Sequence, residues 1–149
     1  MRLTMLVAAV ALLGCGKAPD PAGSVEFRFD VSATVRSSPN LKSPLKGSAY
    51  GALFLQEDVS ISGPSDTAQQ YGDVTADGLD CSTGVSGSNT LSLAPGLYTF
   101  LGFFDVNGNG GVSKDPDPGD PVTLPFTNKF EIKNGEATKR LVLFELVYN

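Results

Sequence analysis

Ser24-Val-Glu-Phe-Arg-Phe-Asp-Val-Ser-Ala-Thr-Val-Arg36 is the stretch whose reading decides the fold. Val25, Phe27, Phe29, Val31, Ala33 and Val35 alternate with Glu26, Arg28, Asp30, Ser32, Thr34 and Arg36. Side chains on a strand point alternately to its two faces, so this period of two predicts a strand over 24–36 with one dry face and one wet one. Working outward, Pro39 and Pro44 break the chain into a loop, and 48–56 is the next strand. A short piece follows around 59–61. The stretch 63–87, rich in Gly, Ser, Asp and Thr, reads as loop with a strand near Val74. Residues 91–93 form a short strand and Pro95-Gly96 a turn. Residues 97–104 are apolar on both faces, as in a central strand. Phe130 and Ile132 belong to another strand, Asn134-Gly135 is a turn, and 141–148 alternates again. No window beyond residue 14 sustains an apolar period of 3.6. The expected fold is therefore all-β, an antiparallel sandwich of about seven or eight strands over 24–149.

Toward the other end, residues 16–23 (Gly-Lys-Ala-Pro-Asp-Pro-Ala-Gly) have the composition of a tether. Before them, Met1-Arg2 is a short basic region, and 3–13 is an apolar run too short for a membrane-spanning helix, which needs about 20 residues. Its length suits a signal peptide over 1–14. The run ends Leu12-Leu13-Gly14-Cys15, which resembles the lipobox of bacterial lipoproteins. The resemblance implies cleavage before Cys15 and acylation of its thiol, so that the lipid bilayer becomes the first partner. Several acyl chains on one residue hold lastingly, whereas one holds marginally. Gly rather than Asp at position 16 favours, by the same resemblance, the outer membrane of a Gram-negative envelope.

Leu93-Ala-Pro-Gly-Leu-Tyr-Thr-Phe100 resembles the L-x-P-G-x-Y-x-F turn of transthyretin-like and carboxypeptidase-regulatory-like sandwiches, members of the wider Ig-like group. The resemblance covers eight residues. It implies that Pro-Gly turns the chain and that Tyr98 starts a core strand, in a module of a kind that is usually non-enzymatic.

Composition narrows the chemistry. The formal charge is −5, a poor match for phosphate backbones, so no nucleic-acid partner is expected. The absence of His removes the usual general base near neutral pH, both histidine-dependent nucleophile arrangements and the commonest zinc ligand. Of the two Cys, Cys15 is by the lipobox resemblance expected to carry lipid, which would leave Cys81 without a partner in the chain. Cys81 then reads as a partly buried small residue or as half of an intermolecular disulfide.

The sharpest local feature runs from Asp105 to Asp120. Asp105-Val-Asn107-Gly-Asn109-Gly110 fits the D-x-[DN]-x-[DN]-G opening of calcium loops. In such loops alternate side-chain oxygens turn inward, a backbone carbonyl follows at position seven, here Gly111, and glycine at position six allows the bend. Val112 fills the apolar eighth position, but Pro116 stands where a bidentate Glu closes the site. Asp115, Asp117 or Asp120 could close it differently. The competing reading is turn chemistry, since Asn107-Gly108 and Asn109-Gly110 are both good turn pairs. Asp105, Asn107, Asn109, Gly111, Asp115 and Asp117 are thus a candidate Ca²⁺ site.

Asp58, Asp66, Asp73, Asp77 and Asp80 would support a small carboxylate hydrolase only if two of them faced each other across a cleft. Tyr50, Tyr71 and Tyr98 could form an aromatic platform, although Tyr50 and Tyr98 suit core packing on apolar strands. The expectation is a membrane-anchored, non-enzymatic module that binds an envelope protein or glycan or builds structure, with the hydrolase as alternative. A solute-binding lipoprotein fits less well, because the chain is short for a two-lobed trap.

Overall fold

A computed structural model describes residues 20–41 and 44–149. The expected signal peptide and Cys15 lie outside them. The chain is all-β and its two main sheets enclose one core. β1 (Gly23–Val31) is the centre of the smaller sheet, flanked by β6 (Ser86–Leu93) and β10 (Ala137–Phe144). The larger sheet runs β11 (Leu146–Val147), β8 (Pro121–Val122), β7 (Gly96–Asp105), β2 (Lys46–Leu55) and β5 (Gln70–Asp80), with β9 (Lys129–Ile132) also on β7. β3 (Val59–Ser60) and β4 (Gly63–Pro64) make a small separate hairpin. Seven of these strands have four residues or more.

The alternation in β1 works as expected. Val25, Phe27, Phe29 and Val31 are buried, while Arg28 is exposed and pairs with Glu26. Their dry face meets Phe100, Phe104, Phe130 and Phe144, through an edge-on contact of Phe27 with Phe130 at 5.4 Å and a stack of Phe29 on Phe144 at 6.4 Å. Such aromatic pairs add about 0.5–1.5 kcal/mol each beyond area burial. Opposite β1, the inward positions of β2 are Ala49, Gly51 and Leu53, with Phe100, Gly102 and Phe104 beside them on β7. A Cβ at Gly51 would lie 2.7 Å from both the Leu101 carbonyl oxygen and Phe100 Cε2. Glycine here leaves room for the Phe100 ring, which reaches Phe27 at 5.8 Å.

The structure corrects four expectations. The strand expected over 24–36 ends at Val31. Ser32 caps a single helical turn, α1 (Ala33–Arg36), its Oγ accepting from the Val35 amide at 3.2 Å, and Val35 still reaches the core. The strand expected near Val74 is there, but it is the eleven-residue β5, and the stretch 63–87 also holds β4 and the first two residues of β6. The 141–148 strand breaks at Glu145, whose amide turns to the Val122 carbonyl. The smaller sheet is mixed, because β1 and β10 pair in parallel from Ser24↔Ala137 to Val31↔Phe144. Parallel neighbours cannot be joined by a tight turn. Here the whole intervening chain is the connection, so the first and last long strands lie side by side.

Candidate functional site

Two places on the larger sheet gather functional side chains. The first is the loop that leaves β7 and returns as β8. Asp105 ends β7 with 2% of its surface exposed. Its Oδ1 accepts from the amides of Asn107, Gly108 and Asn109 at 3.2, 2.8 and 3.3 Å, and its Oδ2 accepts from Gly110 at 2.8 Å. One carboxylate thereby collects four consecutive N–H groups and curls the chain into α2 (Gly110–Ser113). Asn107 Oδ1 also accepts from the Asn109 amide, and the Asn109 side-chain amide donates to Asp117. Asp120, 1% exposed, ties the far end: its carboxylate accepts from the amides of Val106 at 3.2 Å and Asp117 at 3.0 Å.

Of the sequence-predicted ligands, Asp105, Asn107, Asn109 and Asp117 are therefore drawn into one network. Asp115 is not: its backbone is engaged with Ser113, and the residue is exposed at the border of the second site. Gly111 lies against the Tyr50 hydroxyl. Among the described residues no group of three or more His, Cys, Asp or Glu is gathered as a metal cage. No ion pair among the described residues reaches Asp105, Asp117 or Asp120. Burial, reinforced by the charges of Asp105 and Asp117, outweighs the two amide hydrogen bonds and holds the Asp120 carboxyl above its ordinary pKa. Asp120, which the sequence offered only as an alternative closure, completes this network through backbone amides.

The second place is a trough of about 890 Å³ on the outer face of the larger sheet. Residues opposite in phase to the core positions make its floor: Tyr50, Ala52 and Phe54 on β2, Leu101 and Phe103 on β7. Tyr50 and Phe103 sit ring to ring at 5.6 Å. Gly111, Lys114, Asp115 and Pro116 close one end, and residues 61–64 with Gln70 close the other. Asp73 and Thr75 of β5 form one flank, Val122, Pro125 and Tyr148 the opposite one. Lys114 is the only non-glycine residue with positive φ among those described, at 56°. It stands where a helix end usually has glycine.

The three tyrosines thus have different fates. Tyr98 is core, as expected, and its hydroxyl donates to the Ala94 carbonyl at 2.9 Å across the Pro95-Gly96 turn. Burial pushes its pKa up. Tyr71 leans edge-on against Tyr98 at 5.8 Å. Tyr50, expected in the core, faces outward and is half-buried in the trough. Of the five carboxylates, Asp73 lies at the trough rim with Gln70 donating to it, whereas Asp80 is engaged with Ser82 and with Lys46 at 2.9 Å.

Cys81 belongs to neither place. It is fully buried, with its Sγ 3.6 Å from the Phe29 carbonyl, and burial, then the charge of Asp30, raises its pKa to about 11. That corrects the partly buried reading, and an intermolecular disulfide would require the core to open. Arg36 locks the strand end above it, bonding the Cys81 and Ser82 carbonyls at 2.5 and 3.1 Å and Asp30 at 2.5 Å.

No family model and no curated protein matches this chain. Among solved structures, a leucine-rich repeat protein from Bacteroides thetaiotaomicron is similar over 83% of this chain, at 13% identity and a TM-score of 0.40. The chain spans 12% of that protein's length.

Proposed function

We propose that this chain is a lipid-anchored lipoprotein of the bacterial outer membrane whose β-domain is a non-enzymatic binding module of the transthyretin-like kind. The observation that carries the binding role is the aromatic-floored trough. Specific sites are concave, largely apolar and furnished with a few polar groups, typically at about 300–1,000 Å³, and the trough meets each of these conditions. The Pro95-Gly96 turn leading into buried Tyr98 supports the transthyretin-like likeness. The lipobox at Cys15 supports the anchor.

The topology gives this reading an orientation. Gly23, where the tether enters, sits beside Leu93 and Lys133, and the Gly135 amide donates to Pro21. The loop after Asp105 is at the other end of β7. An anchor at Cys15 holds the first end toward the membrane and presents the Asp105 loop and the neighbouring end of the trough away from it. The eight-residue tether reaches about 26 Å when extended, so the domain stays near its bilayer.

The anchor is tested by labelling cells with a palmitate analogue. Full-length protein should label and sediment with membranes, and Cys15→Ala should do neither. Labelling that survives Cys15→Ala would remove the lipoprotein reading. The binding role is tested by a photo-crosslinking residue at position 52 on the trough floor, against one at Thr90 on the opposite sheet. Equal yields at both positions would remove the trough from the proposal.

A further inference from the structure

We infer that the trough's ligand is a carbohydrate, a short neutral oligosaccharide lying along β2 between Tyr50 and Phe54. This rests on the reading of the trough as the binding site and names what fills it.

The floor decides first. From Tyr50 to Phe54 it extends about 13 Å along the strand, with an aromatic residue at each end and the small Ala52 between them. Pyranose rings have apolar C–H faces that lie flat on aromatic rings and hydroxyls that point sideways. Sideways in this trough are groups that bond hydroxyls. Gln70 and Asp73 present an amide and a carboxylate, and Lys114 and Asp115 an ammonium and a carboxylate. The Tyr50 hydroxyl, which makes no hydrogen bond among the described residues, lies just beneath Gly111. Lys114 forms no ion pair among the described residues, so its three donors remain available.

The alternatives fit less well. An extended peptide binds a sheet by adding to its edge through main-chain hydrogen bonds. The floor is instead the central β2–β7 pair, whose backbone groups are spent on each other from Ser48↔Asp105 to Leu55↔Tyr98. At the flanking strand, the Thr75 carbonyl is already taken by Asn89. A flat protein surface is kept off the floor by the two end walls. A polyanion meets two carboxylates for one ammonium at the rim. A thin, uncharged, hydroxyl-rich chain satisfies all of these conditions.

The test uses full-length protein in a zwitterionic detergent without sugar headgroups. Chitotriose, cellotriose and maltotriose are the probes, with a mixture of capped tripeptides as comparison. Saturation-transfer NMR reports which ligand protons touch the protein, and calorimetry gives Kd. At least one trisaccharide should bind, with saturation concentrated on its C–H faces. Tyr50→Ala should weaken that binding about tenfold or more, Gln70→Ala and Asp115→Ala several-fold each, and Thr90→Ala not at all. The two rim variants lie on the surface and keep the test decisive if Tyr50→Ala proves unstable. No trisaccharide binding at tens of millimolar, or binding insensitive to all three trough variants, overturns the inference. Tripeptide binding that depends on Tyr50 without sugar binding also overturns it, yet leaves a binding trough in place. Palmitate labelling reads the anchor independently of either result.

Discussion

Replacing Asp105 by Ala separates the two roles open to the 105–120 loop. The wild-type carboxylate accepts four backbone N–H groups, two of them at 2.8 Å. Hydrogen bonds to a charged acceptor contribute about 1.5–3 kcal/mol each when well formed, and an orphaned buried donor costs about 1–3 kcal/mol. The amides of Asn107, Gly108 and Asn109 lie on exposed residues and can turn to water after the substitution. The Gly110 amide is buried against Phe103 and cannot do so easily. The expected loss is therefore set mainly by Gly110, with a smaller share from the other three: about 2–4 kcal/mol in all. For a domain of this size that lowers Tm by roughly 4–16 °C. Asp105→Asn keeps an oxygen for the first three amides but sets its NH₂ against Gly110, so its loss should fall between wild type and Asp105→Ala. The assay is thermal unfolding followed by far-UV circular dichroism in chelator, repeated in several millimolar calcium with magnesium as control. A cation bound weakly, with Kd on the order of 10⁻⁴–10⁻³ M, adds about 1.4 kcal/mol at tenfold excess, or roughly 3–6 °C in wild type. If the carboxylate holds the loop by hydrogen bonding, the Asp105→Ala loss is already complete in chelator. A loss below about 1 kcal/mol in chelator that appears only with calcium would refute that reasoning and make Asp105 a cation ligand first.

Other perturbations probe the rest of the molecule. Gly51→Val should lower stability by about 1–3 kcal/mol through overpacking against Phe100, measured by urea denaturation; an unchanged midpoint would mean the ring is free to move. In a Cys15→Ser background, Cys81 should resist a maleimide at pH 8 and react promptly in urea, because its buried thiol is raised to about 11 and protonated. Fast labelling of the folded protein would contradict the burial. Asp80 is held at about 2 by the Ser82 hydroxyl and then by Lys46, a folded-state value below that of the unfolded chain. Its contribution is thus present above pH 4 and lost as pH falls toward 2, and Asp80→Asn should flatten that acid limb of Tm against pH. Asp120 has the opposite sign. Its folded-state value is raised, so its contribution is present in acid and lost as pH rises through that value, and protonation relieves a buried charge.

How far these features were legible in the sequence follows from where each one's information lies. In β1 a run of large apolar residues alternates with charges, and the strand could be read by eye. Ser32 could not be recognised as a helix cap, because Ala33 and Val35 continue the same alternation and the cap depends on local turn geometry. β5 was legible only near Val74, for a different reason. Its inward residues Gly72, Val74 and Ala76 are small, since the core there is filled from the opposite sheet, and an alternation of small with polar residues resembles a loop. The motif beginning at Asp105 was legible because its partners lie within five positions, whereas Asp120 joins it only after the chain has turned back. Tyr50 shows the limit most clearly. A strand with aromatics on one face and Gly and Leu on the other gives no sign of which face meets the core. Here the Phe100 ring decides it: only glycine on the inward face of β2 leaves that ring its space, and the aromatics of β2 are turned outward to floor the trough. The candidate site is a consequence of how the core was packed, assembled from residues between Tyr50 and Tyr148 that no local pattern connects.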